Sequence, residues 1–175
     1  MDYSLLEHIA EDLISHKLQQ NGLLVAKPKS DRMGTDLLAF AEILDNVKFC
    51  RIQCKGRSLK NTKNSEIKIP KEYVTNGFIV ILYLEYNDNE NIQELYIFFP
   101  SDIEQWKVTP HKEYKLNLSL KSQKRLNQYK FDSTKADSIK ALIKNAETNG
   151  EFNNLISGSF SSELSLKGNF ECEIK

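Results

Sequence analysis

Residues 32–58 read RMGTDLLAFAEILDNVKFCRIQCKGRS. Gly34 closes a polar turn, and Thr35 to Phe40 follows as a short strand that Asp36 opens, with Leu37 to Phe40 apolar behind it. Ala41 to Asn46 carries acids and an Asp-Asn pair, the composition of a hairpin connection. From Val47 to Lys55 the chain alternates with period two. Phe49, Ile52 and Cys54 are its apolar members, and Arg51, Gln53 and Lys55 share the opposite face. Gln53 and Lys55 therefore point the same way, and pairing of the two strands would set Asp36 beside them. Gly56 lets the backbone bend away after Lys55. A carboxylate at the start of a buried strand is costly unless it is hydrogen-bonded, ion-paired or metal-bound. Capping of the Gly34 turn by Asp36 and metal binding by Asp36 both satisfy that condition. An acid, a second oxygen ligand and a lysine on neighbouring strands form the set that metal-assisted phosphodiester cleavage requires.

On the N-terminal side, residues 3–20 predict a helix. Leu5, Leu6, Ile9, Leu13 and Leu18 give its apolar stripe, and Asn21-Gly22 ends it. Glu7 and Glu11 lie one turn apart at the edge of that stripe, where ordinary solvated acids are also found. Leu23 to Ala26 is a short strand. On the C-terminal side, Ser58 to Ile67 reads as a polar, basic loop, and Ile69 to Val74 as a helical turn opened by Pro70. Phe78 to Leu84 is continuously apolar, the pattern of a strand buried on both faces. Asn87 to Asn91 is a hairpin loop, and Glu94 to Phe99 the returning strand. Ser101 to Glu104 is an N-capped turn. Tyr114 to Leu120 alternates as a half-buried edge strand. Ser133 or Thr134 caps a last helix with Ile139, Leu142 and Ile143 on its inner side, and Asn149-Gly150 stops it.

The chain has 175 residues, 40% hydrophobic and 27% charged, which fits one folded domain over residues 1–150. A polar segment, 151–175, follows as a hairpin, an oligomer contact or an extension. No apolar run reaches the length of a membrane span, and MDYSLLEHIAEDL lacks the basic start of a secretory signal, so a cytoplasmic protein with no membrane partner is expected. Cys50 and Cys54, four apart on a strand, would lie roughly 13 Å from each other, beyond disulfide reach. They and Cys172 read as reduced thiols. His8, His16 and His111 have no partner in a readable motif, and Trp106 reads as a core or edge anchor. Net charge is zero, yet Lys48 to Lys71 holds eight basic residues and one acid, whereas Glu85 to Trp106 holds six acids and no base. A neutral total can therefore hide a basic face suited to phosphates, with a mixed solvated surface as the alternative.

The order of parts is informative as a whole: a helix with AED, then NG and a strand, then GTDLLAF, then a strand ending IQCKGR. Over about residues 5–105 it resembles the PD-(D/E)xK restriction-endonuclease-like superfamily, in particular the Holliday-junction-resolvase type and short bacterial domains with QxK. The resemblance implies an α/β (α+β) fold with an α-β-β-β-α-β core, a mixed central sheet flanked by helices. It implies catalytic roles for Glu11, Asp36, Gln53 and Lys55, and Mg²⁺ or Mn²⁺ held by Asp36, Gln53, the Cys54 carbonyl and Glu11. Gln53 stands where the family usually has Glu or Asp; its amide oxygen can ligate a hard cation but brings no charge. Arg51, Arg57, Lys60 and Lys63 would meet nucleic-acid phosphates. The implied activity is metal-dependent cleavage of nucleic acid, DNA above all, by a homodimer that cuts both strands. Tyr114 to Leu120 or the C-terminal segment would form the dimer contact. The alternative is a binding module of the same fold without turnover. A further alternative is a toxin, immunity or antiphage accessory protein whose acidic Glu85–Glu104 segment meets a basic partner.

Overall fold

The computed structural model describes residues 3–30, 33–43, 47–60, 62, 64–86 and 93–145. Helix α1 (Tyr3–Gln20) leads into strands β1 (Leu24–Ala26), β2 (Leu37–Ile43), β3 (Val47–Ser58) and β4 (Asn64–Pro70). A 3-10 turn over Lys71–Tyr73 connects to β5 (Phe78–Glu85) and β6 (Gln93–Phe98). Then come the short helix α2 (Pro100–Ile103), β7 (Lys107–Val108), β8 (Glu113–Ser119), the short helix α3 (Gln123–Leu126) and α4 (Ser133–Lys144). Five strands form a mixed sheet in the order β1-β2-β3-β5-β6; only the β3–β5 pair is parallel. The other three form a second sheet, β4-β8-β7.

The pleat of β3 and β5 separates two cores. Cys50, Ile52 and Cys54 of β3 and Ile79, Ile81 and Tyr83 of β5 join Leu6, Ala10, Ile14 and Leu18 of α1 and Ile139 and Ile143 of α4. On the other face Phe78, Val80, Leu82 and Leu84 meet Ile67 and Ile69 of β4, Leu118 of β8 and Trp106. Every residue of β5 is buried, as its unbroken apolar run requires. Of the core and edge positions expected for Trp106, the structure shows the core one, with its ring edge-on to Phe98 at 5.1 Å.

Several expectations are corrected by the packing. The inward stripe of α1 is Leu6, Ala10, Ile14 and Leu18, whereas Leu5, Ile9 and Leu13 are exposed. The apolar residues of this helix cover more than one face, and Ala10 and Ile14 carry the phase. Phe49 does not share a face with Ile52 and Cys54; by alternation it lies on the Arg51 side, against Phe40. The expected loop between Ser58 and Ile67 contains the start of β4, because β8 supplies a partner distant in sequence. For the same reason β8 is the central strand of its sheet and not an edge. The last helix is capped by Asp132, whose carboxylate accepts from Lys135 N at 2.8 Å, in place of Ser133 or Thr134. Asn87 to Asn91, Asn149-Gly150, Cys172 and the segment 151–175 lie outside the described residues.

Candidate active site

Strand β2 stops pairing with β3 at Leu37↔Ile52, while β3 continues beside β5 to Ser58. Beyond Ile52, one edge of β3 has therefore lost its sheet neighbour. Asp36, just before β2, fills the first position of that edge. Its own N–H donates to Ile52 O (2.9 Å), and its Oδ2 accepts from Cys54 N (2.6 Å). The carboxylate thus replaces a ladder carbonyl at the middle residue of the Gln53-Cys54-Lys55 triplet. In a strand the N–H and C=O of one residue point to the same edge, so the Cys54 carbonyl shares the edge with Asp36.

Gln53 is 6% exposed, and its Oε1 has no hydrogen-bond partner among the described residues. The amide packs against the turn before Asp36. A Cβ on Gly34, which has φ +65°, would lie 2.9 Å from Gln53 Nε2 and 2.7 Å from the Tyr73 ring. Glycine is required there on both counts. Lys55 Nζ lies 4.0 Å from Glu7 Oε1. Arg57 binds the same carboxylate oxygen at 3.1 Å and also donates to the carbonyls of Gly56 and Glu66. The route from α1 to these cations exists because Gly56 has no side chain: a Cβ there would sit 2.5 Å from Leu6 O.

Glu11 forms an ion pair with Lys27, which raises the lysine's pKa. The Cys54 thiol is pushed well above its ordinary range by burial first, then by the negative charges of Asp36 and Glu11; Lys55 and Lys27 act in the opposite sense. Asp36, Glu11, Lys55 and Lys27 thus surround the middle of β3, and Cys54 itself is an inert buried thiol.

The structure brings Asp36, Gln53 and Lys55 to one strand edge and Glu11 to its flank. It removes Arg51 from the basic surface. Arg51 is 4% exposed, donates to Tyr73 O (3.1 Å) and Thr75 Oγ1 (2.8 Å), and lies over the Phe78 ring. It is a clamp between β3 and the segment leading into β5. Lys60 is ion-paired with Glu85 at 3.4 Å. Lys63 lies outside the described residues. Sequence reading passed over Lys27, and it named Glu7 without giving it a role in the site. The spacing of Glu7 and Glu11 placed both acids near the sheet, but only the close approach at Gly56 assigns Glu7 to Lys55 and Arg57.

The donors fit a small hard cation. One carboxylate, one amide oxygen lacking a partner and one main-chain carbonyl are oxygen ligands of the kind Mg²⁺ accepts. Among the described residues no group of three or more His, Cys, Asp or Glu side chains converges as a metal site. A cation here would therefore depend on the neutral Gln53 and Cys54 oxygens and on water.

This architecture, a five-stranded mixed sheet flanked by helices, matches a restriction-endonuclease-like fold. A solved structure that shares it is that of a bacterial homing endonuclease, I-Ssp6803I. The two align with a TM-score of 0.53 at 20% identity, over 83% of this chain and 100% of that one. At that identity the likeness is one of fold. No protein-family model and no curated protein sequence matches the chain. No described helix is long and apolar enough to cross a membrane.

Proposed function

We propose that this chain is a metal-dependent nuclease acting on DNA. The observation that carries the reading is the Asp36 carboxylate bound to the main chain of Cys54, midway between Gln53 and Lys55. Asp36, the Gln53 amide oxygen and the Cys54 carbonyl would hold Mg²⁺ or Mn²⁺, with Glu11 assisting through water. The cation would supply polarisation of a phosphoryl oxygen and a lowered pKa for bound water. Asp36 is pre-positioned by two main-chain bonds, so it needs no rearrangement to serve as a ligand. Lys55 offers its ammonium to the charge that builds on the phosphoryl oxygens. Glu7 holds Lys55 and Arg57 on the open edge of β3, where a phosphate can replace the carboxylate. Lys60 adds a second cation beyond Arg57. Cutting both strands of a duplex requires two such sites, which a homodimer provides.

The test is plasmid and oligonucleotide cleavage with Mg²⁺ or Mn²⁺, with Asp36→Ala and Lys55→Ala run in parallel. Loss of at least about a hundredfold in rate in each variant is expected, the scale of removing one transition-state donor. Cleavage that persists in both variants would place the chemistry elsewhere. A second reading is favoured by the charge count: Glu11 is taken by Lys27, leaving one acid among the three oxygen donors. In that reading the same edge binds DNA or a protein partner without turnover. Folded protein that binds DNA, and on which no substrate is cut with either metal, would select it.

A further inference from the structure

The second sheet has one face that folding does not explain. Its inner face is apolar: Ile67, Ile69 and Leu118 are at most 1% exposed. Its outer face carries Lys68, Lys115 and Lys107 directly opposite one another across all three strands. Like charges facing each other across strands destabilise a sheet. Glu66 is the acid that relieves the row, bonded to Lys68 at 2.9 Å and to Lys115. No carboxylate among the described residues forms an ion pair with Lys107, which is exposed on the edge strand. The next rows of the same face are Glu66↔Asn117 and Asn64↔Ser119. Asn64, Glu66, Lys68 and Asn117 then line a cleft of about 760 Å³ whose other wall is Lys55 and Arg57.

We propose that this outer face is a platform for duplex nucleic acid, continuous with the site on β3. The inference rests on the nuclease reading and adds where the duplex lies. The axes of the outer strands lie roughly 10 Å apart, so two of the three strands fit a B-DNA major groove roughly 12 Å wide and the third lies along its wall. The side chains on the face are amides, a hydroxyl, ammonium groups and two carboxylates, Glu66, which is ion-paired with Lys68 and Lys115, and Glu113 at the start of β8. Asn64 and Asn117 have the donor–acceptor pair that matches an adenine edge, and the lysine row meets phosphates on the groove wall. The face carries almost no apolar side chain, which disfavours a protein partner that would bury it. Asn64, Lys68 and Asn117 of the platform line the same cleft as Lys55, which joins the platform to the site.

The experiment is a fluorescence-anisotropy titration of a mixed-sequence duplex at several salt concentrations, with wild type, Lys107→Glu and Asn117→Asp. Both positions are exposed, and circular dichroism and the melting temperature verify that each variant is folded. Lys107→Glu is expected to weaken binding about tenfold or more and to lower the slope of log affinity on log salt by about 1. Asn117→Asp is expected to weaken binding several-fold. Wild-type duplex binding that neither variant changes overturns the platform and leaves the nuclease proposal standing on its cleavage assay. Wild type that neither binds nor cuts any duplex overturns both.

Discussion

At the residue scale the site turns on two oxygens in different circumstances. Asp36 is fixed by the main chain of β3, whereas Gln53 Oε1 is buried without a partner among the described residues. Leaving such a group unpaired costs about 1–3 kcal/mol. Replacing Gln53 with Met removes the orphaned amide and keeps the length of the side chain. The metal-free protein is then expected to be as stable as wild type or slightly more so in urea denaturation. Mg²⁺ or Mn²⁺ is expected to raise the melting temperature of the wild type and to leave that of the variant unchanged, because ligand stabilisation follows affinity. A Gln53→Met protein less stable by more than about 2 kcal/mol would mean that the amide is bonded in the folded state. The neighbouring Lys55 differs in kind: its partner Glu7 is 36% exposed, so the pair is exchangeable with a phosphate.

At the element scale the register of α1 on β3 decides which acid reaches which cation. Gly56 is where the two elements meet, and the atoms in the way of a Cβ are the carbonyl group of Leu6, at 2.5 and 2.8 Å. Backbone in a helix cannot step aside locally, so Gly56→Ala must move α1. A loss of about 1–3 kcal/mol is expected, the usual scale for overpacking. Substrate affinity should fall as well, since Glu7 no longer holds Lys55 and Arg57. An unchanged urea midpoint would show that α1 is free to shift. In the second sheet, hydrogen bonds from Lys115 and then Lys68 lower the Glu66 pKa from 4.5 to about 2. A depressed carboxylate stabilises the folded state above its unfolded pKa, and that contribution disappears as pH falls through the folded value. Amide protection in β4 and β8 should therefore be fully supported above about pH 4.5 and weaken toward pH 2. Lys115→Ala should return the Glu66 titration, read by carboxyl NMR, toward the ordinary range. A wild-type midpoint already near 4.5 would contradict the arrangement.

At the scale of the whole molecule, two sheets and a helical layer meet beside the open edge of β3. Helices α1 and α4 cover one face of the five-stranded sheet, and the three-stranded sheet covers the other. The cleft lies between β3 and that second sheet, so the candidate chemistry and the candidate duplex platform share a border. The exposed Leu5, Ile9 and Leu13 lie on α1, away from its inward stripe.

The amino-acid sequence by itself determined the local parts of this protein. Period-two alternation put Gln53 and Lys55 on one face of β3, and the unbroken apolar run made β5 a buried central strand. The Gly34 turn placed Asp36 at the head of β2. Such features depend on the pleat and on residues next to one another. Only the tertiary structure decided the phase of α1, because a helix with apolar residues on more than one face is oriented by what it packs against. It also decided that Arg51 is an interior clamp, since a basic residue in an alternating strand reads the same whether it meets solvent or carbonyls. Strand β4 escaped local reading, and alternation marks β8 as a strand but suggests an edge, for a related reason: the two are stabilised by pairing with each other some fifty residues apart in sequence, and that pairing makes β8 central.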